Sequence, residues 1–160
     1  MLFQKKYLIG QELVRRGVIS QDHLDEALIE HERSGLKLGK ILVKWGYCTE
    51  DDLLKVLSDQ LSIPVFRISD TVIPDAVVKL ASESVARKYK LVPVREDDKT
   101  ITVCMSEPFD PREIEAVKSY FKKPLVIVMD SDRNVLRAIR KYYGLIDKDD
   151  LEFIEDEEGF

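Results

Sequence analysis

Apolar residues in the first sixty positions recur at helical spacing, and the whole pattern is then repeated. Ile9, Leu13 and Val14 form one stripe, and Leu24, Ala27 and Leu28 form a second. Leu38, Leu42 and Val43 repeat the first stripe 29 positions later, and Leu53, Val56 and Leu57 repeat the second. An apolar residue every three or four positions buries one face of a helix, so the pattern predicts helices at about 8–16, 21–33, 37–45 and 50–61. Gly17 and Gly46 follow the last basic residues of the first helix in each pair, where a left-handed cap is wanted. Ser20 and Thr49 supply N-cap oxygens, and Thr49-x-x-Asp52 resembles a capping box with Asp in place of Glu. One helical pair cannot cover its own apolar stripe. Two pairs joined only by Glu32–Leu36 can cover each other, which predicts a compact four-helix unit over residues 1–63.

The pattern changes at Pro64. Val65–Ile68 is predicted extended, Pro74 opens a short helix at about 74–81, and Ser82 or Ser84 caps another through Tyr89. Leu91–Arg95 and Thr100–Met105 alternate as strands, with a polar turn at Glu96–Lys99 between them. A helix over 111–122 with Pro111 at its first position follows, then a strand at 125–129 and a helix at 132–143 closed by Gly144. The fold class is therefore α+β: an N-terminal four-helix tandem repeat, then a small ββαβα domain over 64–144. Residues 145–160 are expected to be a solvated tail or linker.

Charge refines this division. The net charge of −5 sits at one end, because residues 145–160 carry eight acids and one lysine. The remaining 144 residues are nearly neutral, with 24 bases and 22 acids. A neutral body does not have the basic footprint that nucleic-acid binding requires. A helix-turn-helix reader is further disfavoured by the acidic second helices, which bear Asp22, Asp25, Glu26 and Glu30, then Glu50, Asp51, Asp52 and Asp59. No apolar run approaches the roughly 20 residues that cross a bilayer, so direct membrane insertion is not expected. The N-terminal stretch has charges within it and no small-residue cleavage site, unlike a secretory signal. Cys48 and Cys104 have no ligand spacing and read as reduced, buried thiols of a cytoplasmic protein.

The chain carries no recognisable catalytic machinery. Its glycines never fall into a GxxxxGK[ST] or GxGxxG pattern, so the usual phosphate cradles are absent from the sequence. His23 and His31 are its only histidines, have no nucleophile motif nearby, and read as solvated or interhelical side chains. The expectation is a non-enzymatic module that requires no cofactor and binds no metal.

The tandem pattern resembles the N-terminal domain of the ATPases of type II secretion and type IV pilus assembly, an MshEN-like repeat. That family's motif runs Arg-Leu-Gly, two residues, two aliphatics, two residues, Gly, two aliphatics, four residues, Leu, three residues, Leu, two residues, Gln. Two 24-residue copies flank a five-residue spacer, and here they are 8–31 and 37–60. The likeness continues in IPDAVVKLASESVARKYKLVPV, the MSEPFDP turn and AIRKYYG, so it covers about residues 8–144. The resemblance implies docking to the cytoplasmic part of an inner-membrane platform protein, with an ATPase motor domain as a further partner. The protein would then be cytoplasmic, held at the inner membrane only through its partner.

In some members the domain is a cyclic di-GMP receptor, each motif holding half of the dinucleotide. The resemblance then implies ligand contacts from Gly10, Leu13, Leu24, Leu28 and His31 in the first copy. The second copy would contribute Lys37, Leu38, Gly39, Leu42, Leu53, Leu57 and Gln60. Three positions depart from the motif: Leu8 and Lys37 stand where Arg is the rule, and His31 where Gln is. Lysine is a point charge where arginine offers a planar fork to guanine or phosphate. Arg15, Arg16 and Arg33 are the nearby cations that could restore phosphate contacts. Trp45, which replaces Arg16 of the first copy, and Tyr47 are candidate interface residues; a Trp45 folded over Pro64 or Phe66 is the alternative.

Overall fold

The computed structural model describes the backbone of residues 2–106 and 111–144, and the side chains of 9–106 and 111–144. The predicted acidic tail and the Leu8 side chain lie outside the described residues. The chain divides into two compact units, Met1–Ser62 and Ile63–Phe160.

The first unit holds α1 (Leu2–Arg15), α2 (Gln21–Ser34), α3 (Leu38–Lys44) and α4 (Glu50–Leu61). All four predicted helices are present. Only α1 differs substantially, starting at Leu2 rather than near residue 8, because no glycine or proline interrupts residues 2–9. Both copies turn in the same way. Gly17 lies at φ +74° and donates to the Val14 carbonyl at 3.0 Å, while Val18 N–H reaches Leu13 at 3.0 Å. Gly46 lies at +75° and donates to Val43 at 3.0 Å, while Tyr47 N–H reaches Leu42 at 2.9 Å. These paired bonds satisfy carbonyls that a helix end otherwise leaves open.

Both second helices begin with a capping box. The Thr49 hydroxyl accepts from Asp52 N–H at 3.1 Å, and the Asp52 carboxylate accepts from Thr49 N–H at 3.0 Å. The first copy closes its box with a histidine. Ser20 Oγ accepts from His23 N–H at 3.1 Å, and His23 Nδ1 accepts from Ser20 N–H at 3.5 Å. Across the unit, α1 lies against α4 and α2 against α3, so each hairpin packs on the other. Leu13, Leu24, Ala27, Ile41, Leu42 and Val56 form its core. The predicted stripes are slightly rotated: Leu28 and Leu53 are half-buried, and Leu54 turns inward.

In the second unit β1 (Leu91–Glu96), β2 (Ile101–Ser106) and β3 (Leu125–Asp130) form one sheet in that order. The first pair is antiparallel, with a bulge between Pro93 and Arg95; the second is parallel and is connected through α7 (Pro111–Lys118). Proline has no N–H for a ladder, which suits an edge strand with a bulge. On one face Val92, Val94, Cys104 and Val128 share a core with Val135, Leu136 and Ile139 of α8 (Asp132–Tyr143) and with Ala86 of α6 (Glu83–Tyr89). On the other, Leu91, Ile101, Val103 and Met105 share one with Val117 of α7. The ββαβα order read from the sequence is therefore present.

Four details correct that reading. Val65 is not merely extended but bridges to Met129, with Phe66 N–H donating to the Met129 carbonyl at 2.8 Å and Met129 N–H to Pro64 at 2.9 Å. The next rung would need an N–H from Pro64, which has none. The extended stretch stops at Ile68, where a 3-10 turn runs to Asp70. Helix α5 spans only Asp75–Val78, with Pro74 as its cap, because Leu80 and Ala81 donate three residues back rather than four. Helix α7 ends at Lys118 rather than 122, since the Ser119 hydroxyl donates to the Ala116 carbonyl at 2.6 Å and the chain tightens into turns.

Candidate functional site

The residues singled out in the tandem repeat separate by burial. Leu13, Leu24 and Leu42 are fully buried, and Leu38 and Leu57 nearly so. Gly10 is also buried, directly beneath Leu24: a Cβ there would lie 2.5 Å from Leu24 Cδ1. At the equivalent place in the second copy, a Cβ on Gly39 would lie 3.0 Å from Leu53 Cδ1. Both glycines thus admit a leucine from the other helix of their own hairpin. Leu28, His31, Lys37, Gly39 and Leu53 are half-buried, and Gln60 is exposed.

His31 lies in the last turn of α2 and holds the spacer. Its Nδ1 lies 2.5 Å from the Leu36 carbonyl. A carbonyl can only accept, so Nδ1 is the donor in this contact, and Nε2 is the ring nitrogen outside it. Lys37 takes the N-cap position of α3 with extended backbone and no side-chain cap bond.

The cations near the motif are engaged. Arg15 pairs with Glu12; Arg16 reaches Glu12 at 2.8 Å and Asp59 of α4 at 3.0 Å; Arg33 reaches Glu30 at 2.6 Å. Hydrogen bonds from Arg15 and Arg16 hold the Glu12 carboxyl at about 2, well below its ordinary value. Exposed ion pairs are worth little, so such arginines can exchange one anion for another.

Trp45 is 41% exposed, and its ring meets Tyr47 edge-on at 5.9 Å with planes 82° apart. Tyr47 in turn stacks flat on His23, with centroids 3.9 Å apart and planes within 9°. The Tyr47 hydroxyl donates to Glu26 at 2.7 Å, and that carboxylate raises the phenol's pKa. The sequence reading missed His23 as a member of this cluster. Its signal was the repeat itself, since a ring stands where the second copy has the capping acid Asp52.

The two thiols lie in the interior. Burial pushes Cys48 up to about 12 and raises Cys104 further. Among the described residues no group of His, Cys, Asp or Glu is arranged to hold a metal, and no helix is long and apolar enough to cross a membrane.

Two paired helical hairpins followed by a small mixed sheet define a known class of domain. The MshEN domain family matches residues 61–148, more than half of the chain, and the chain belongs to that family. It is 30% identical over 136 residues to the type IV pilus assembly ATPase PilB of Myxococcus xanthus, covering 85% of this chain and 24% of PilB. A structure of MshE with cdg, cyclic di-GMP, superposes with a TM-score of 0.74 at 28% identity, covering 84% of this chain and 98% of that one. The N-terminal domain of XpsE has the same fold, with a TM-score of 0.67 at 22% identity, covering 85% and 94% of the two chains. The family match lies on the second unit. The 136 residues shared with PilB outnumber that unit, so the likeness extends into the tandem repeat. The chain is thus of the N-terminal type found in secretion and pilus ATPases.

Proposed function

We propose that this chain is a non-catalytic docking and regulatory module of a type II secretion or type IV pilus assembly ATPase system. It would tie the motor domain to the cytoplasmic part of an inner-membrane platform protein, and so act in the cytoplasm at the membrane without inserting into it. The observation that carries this reading is membership of the MshEN family together with a likeness to PilB across both units. Capture of a platform protein's cytoplasmic segment by the 160-residue chain at near-physiological salt tests it. Failure to recover that segment counts against the reading.

A second reading is favoured by one finding: MshE, similar over nearly its whole solved chain, was solved with cyclic di-GMP. In this proposal the dinucleotide lies over the accessible part of the motif, Leu28, Lys37, Gly39 and Leu53, with His31 and Gln60 at its ends. His31 Nε2, the ring nitrogen not engaged with Leu36, would face the guanine edge. The deeply buried Leu13, Leu24 and Leu42 would then shape the surface from below rather than touch the base. Calorimetry with cyclic di-GMP decides the matter. Binding weakened by Lys37→Ala and Gln60→Ala, and strengthened by Lys37→Arg, supports a receptor; no heat and no thermal shift leaves only the docking module.

A further inference from the structure

The two copies of the repeat provide an internal control on what packing requires. Equivalent positions hold identical residues at Gly10/Gly39, Leu13/Leu42, Gly17/Gly46 and Leu24/Leu53, and the turns between the helices form the same bonds. Other pairs differ sharply in chemistry, Glu12/Ile41, Asp25/Leu54 and Ile29/Ser58 among them, and four of these differences concern one place. Arg16 corresponds to Trp45, Val18 to Tyr47, Asp52 to His23 and Lys55 to Glu26.

These four departures meet in one place. One member of each pair, Trp45, Tyr47, His23 and Glu26, enters a single contiguous stack closed by the Tyr47–Glu26 hydrogen bond. The corresponding set, Arg16 and Val18 in the first copy with Asp52 and Lys55 in the second, contains no aromatic ring. The repeat therefore folds at the equivalent turn without this stack. Trp45, moreover, remains 41% exposed rather than filling a core.

The surroundings indicate what would occupy the ledge. Residues 20–26 and 44–52 carry six carboxylates, Asp22, Asp25, Glu26, Glu50, Asp51 and Asp52, against one base, Lys44. An aromatic surface attracts cations through its negative ring face, tryptophan most strongly. The acidic balance of the two segments that bear the ledge reinforces this and repels phosphates, which disfavours a nucleotide or an anionic lipid surface at this place. Arginine fits best, because its planar guanidinium stacks on rings while its N–H fork reaches a carboxylate.

We propose that the Trp45–Tyr47–His23 ledge is a docking site for an arginine-bearing basic segment of a protein partner, the guanidinium lying on Trp45 and bonding to Glu26. This deepens the docking reading above and rests on it.

Trp45 is the sole tryptophan and reports directly on the ledge. The full chain is titrated with an arginine–glycine repeat peptide, a lysine–glycine peptide and a glutamate–glycine peptide, followed by fluorescence and by heat. The expected result is a saturable, salt-sensitive response to the arginine peptide, about threefold weaker for lysine and absent for glutamate. Trp45→Arg and Glu26→Lys, which install the residues of the other copy, should each weaken binding about tenfold without changing the melting temperature. Glu26→Lys keeps the fluorophore and tests the ledge independently should Trp45→Arg impair folding. No saturable response to the arginine peptide, or binding undiminished in both variants, overturns the proposal. So does self-association that Trp45→Arg abolishes, since a second copy would then be the occupant, or a Trp45 response to cyclic di-GMP. A platform segment captured equally by wild type and Trp45→Arg removes the ledge and leaves the docking reading. Arginine-peptide binding without platform capture does the reverse.

Discussion

Gly10 and Leu24 are in direct apposition: the space a methyl group would take on the glycine is already filled by the leucine, with Cδ1 2.5 Å from the ideal Cβ position. Leu24 is fully buried and has little room to retreat. The equivalent pair, Gly39 and Leu53, is looser at 3.0 Å, and Leu53 is only half-buried. One motif glycine is thus a packing requirement, and the other has slack.

Alanine at the two positions should therefore behave differently. Gly10→Ala forces a core leucine off its site, at about 1–3 kcal/mol, against a gain of up to about 1 kcal/mol in helix propensity. A net loss is expected. Gly39→Ala meets only the end of a partly exposed side chain, and should fall between neutral and slightly stabilising. Urea melts of the two variants measure the difference; equal effects would contradict the asymmetry.

The sequence made the helical repeat legible because each local signal agreed with the others. Gly17 and Gly46, Ser20 and Thr49, and the two apolar stripes all placed the same turns. Periodicity could not show that Leu54 rather than Leu53 turns inward, since adjacent leucines read alike on a stripe. Nor could it show the Val65–Met129 bridge, a pairing set by tertiary contact between distant residues. At the candidate site, the exposure of Trp45 was foreseeable as one of two alternatives. The stacking of His23 on Tyr47 was not, because it joins α2 to the loop before α4.

Glu12 should give the first unit an acid-sensitive component. Its carboxyl is held at about 2 by Arg15 and Arg16, against an ordinary 4.5. A lowered folded-state pKa adds stability that is complete above the ordinary value and is lost as pH falls through the window from about 4.5 to about 2. Thermal melts across that window should show the loss in wild type, with a shallower slope in Glu12→Gln.

Tyr143 should behave in the opposite sense at high pH. It donates to the Val78 carbonyl at 2.6 Å, tying the end of α8 to α5, and burial raises its phenol to about 12 from an ordinary 10.0. A raised folded-state pKa contributes stability below the ordinary value, which is lost as pH rises from about 10 to about 12. Tyr143→Phe removes one hydrogen bond and leaves the Val78 carbonyl only the long bond from Ala81 N–H at 3.4 Å, for a loss of about 1 kcal/mol at neutral pH. Ultraviolet titration of the wild type checks the phenol, and denaturant melts check the variant.

Asp130 is the buried carboxylate on which the second unit's N-terminal segment is anchored. It is 1% exposed at the end of β3, and its two oxygens have distinct partners. Oδ2 accepts from Ile68 N–H at 3.1 Å, which fixes the 3-10 turn after the Val65 bridge. Oδ1 accepts from Ser131 N–H at 2.8 Å and from Asn134 Nδ2 at 3.1 Å, which sets the first turn of α8. All three partners are donors, so an acceptor-only group is required on both sides. Asp130→Asn keeps the shape but must turn an NH2 toward one of these donors, which leaves buried groups unsatisfied at about 1–3 kcal/mol. Asp130→Ala strands all three donors and should cost more. Hydrogen exchange distinguishes the two sides: loss of protection at Ile68 alone means the amide kept its oxygen toward α8, and loss at Ser131 alone means the reverse. Unchanged protection at both, with an unchanged melt, would show that the carboxylate is dispensable.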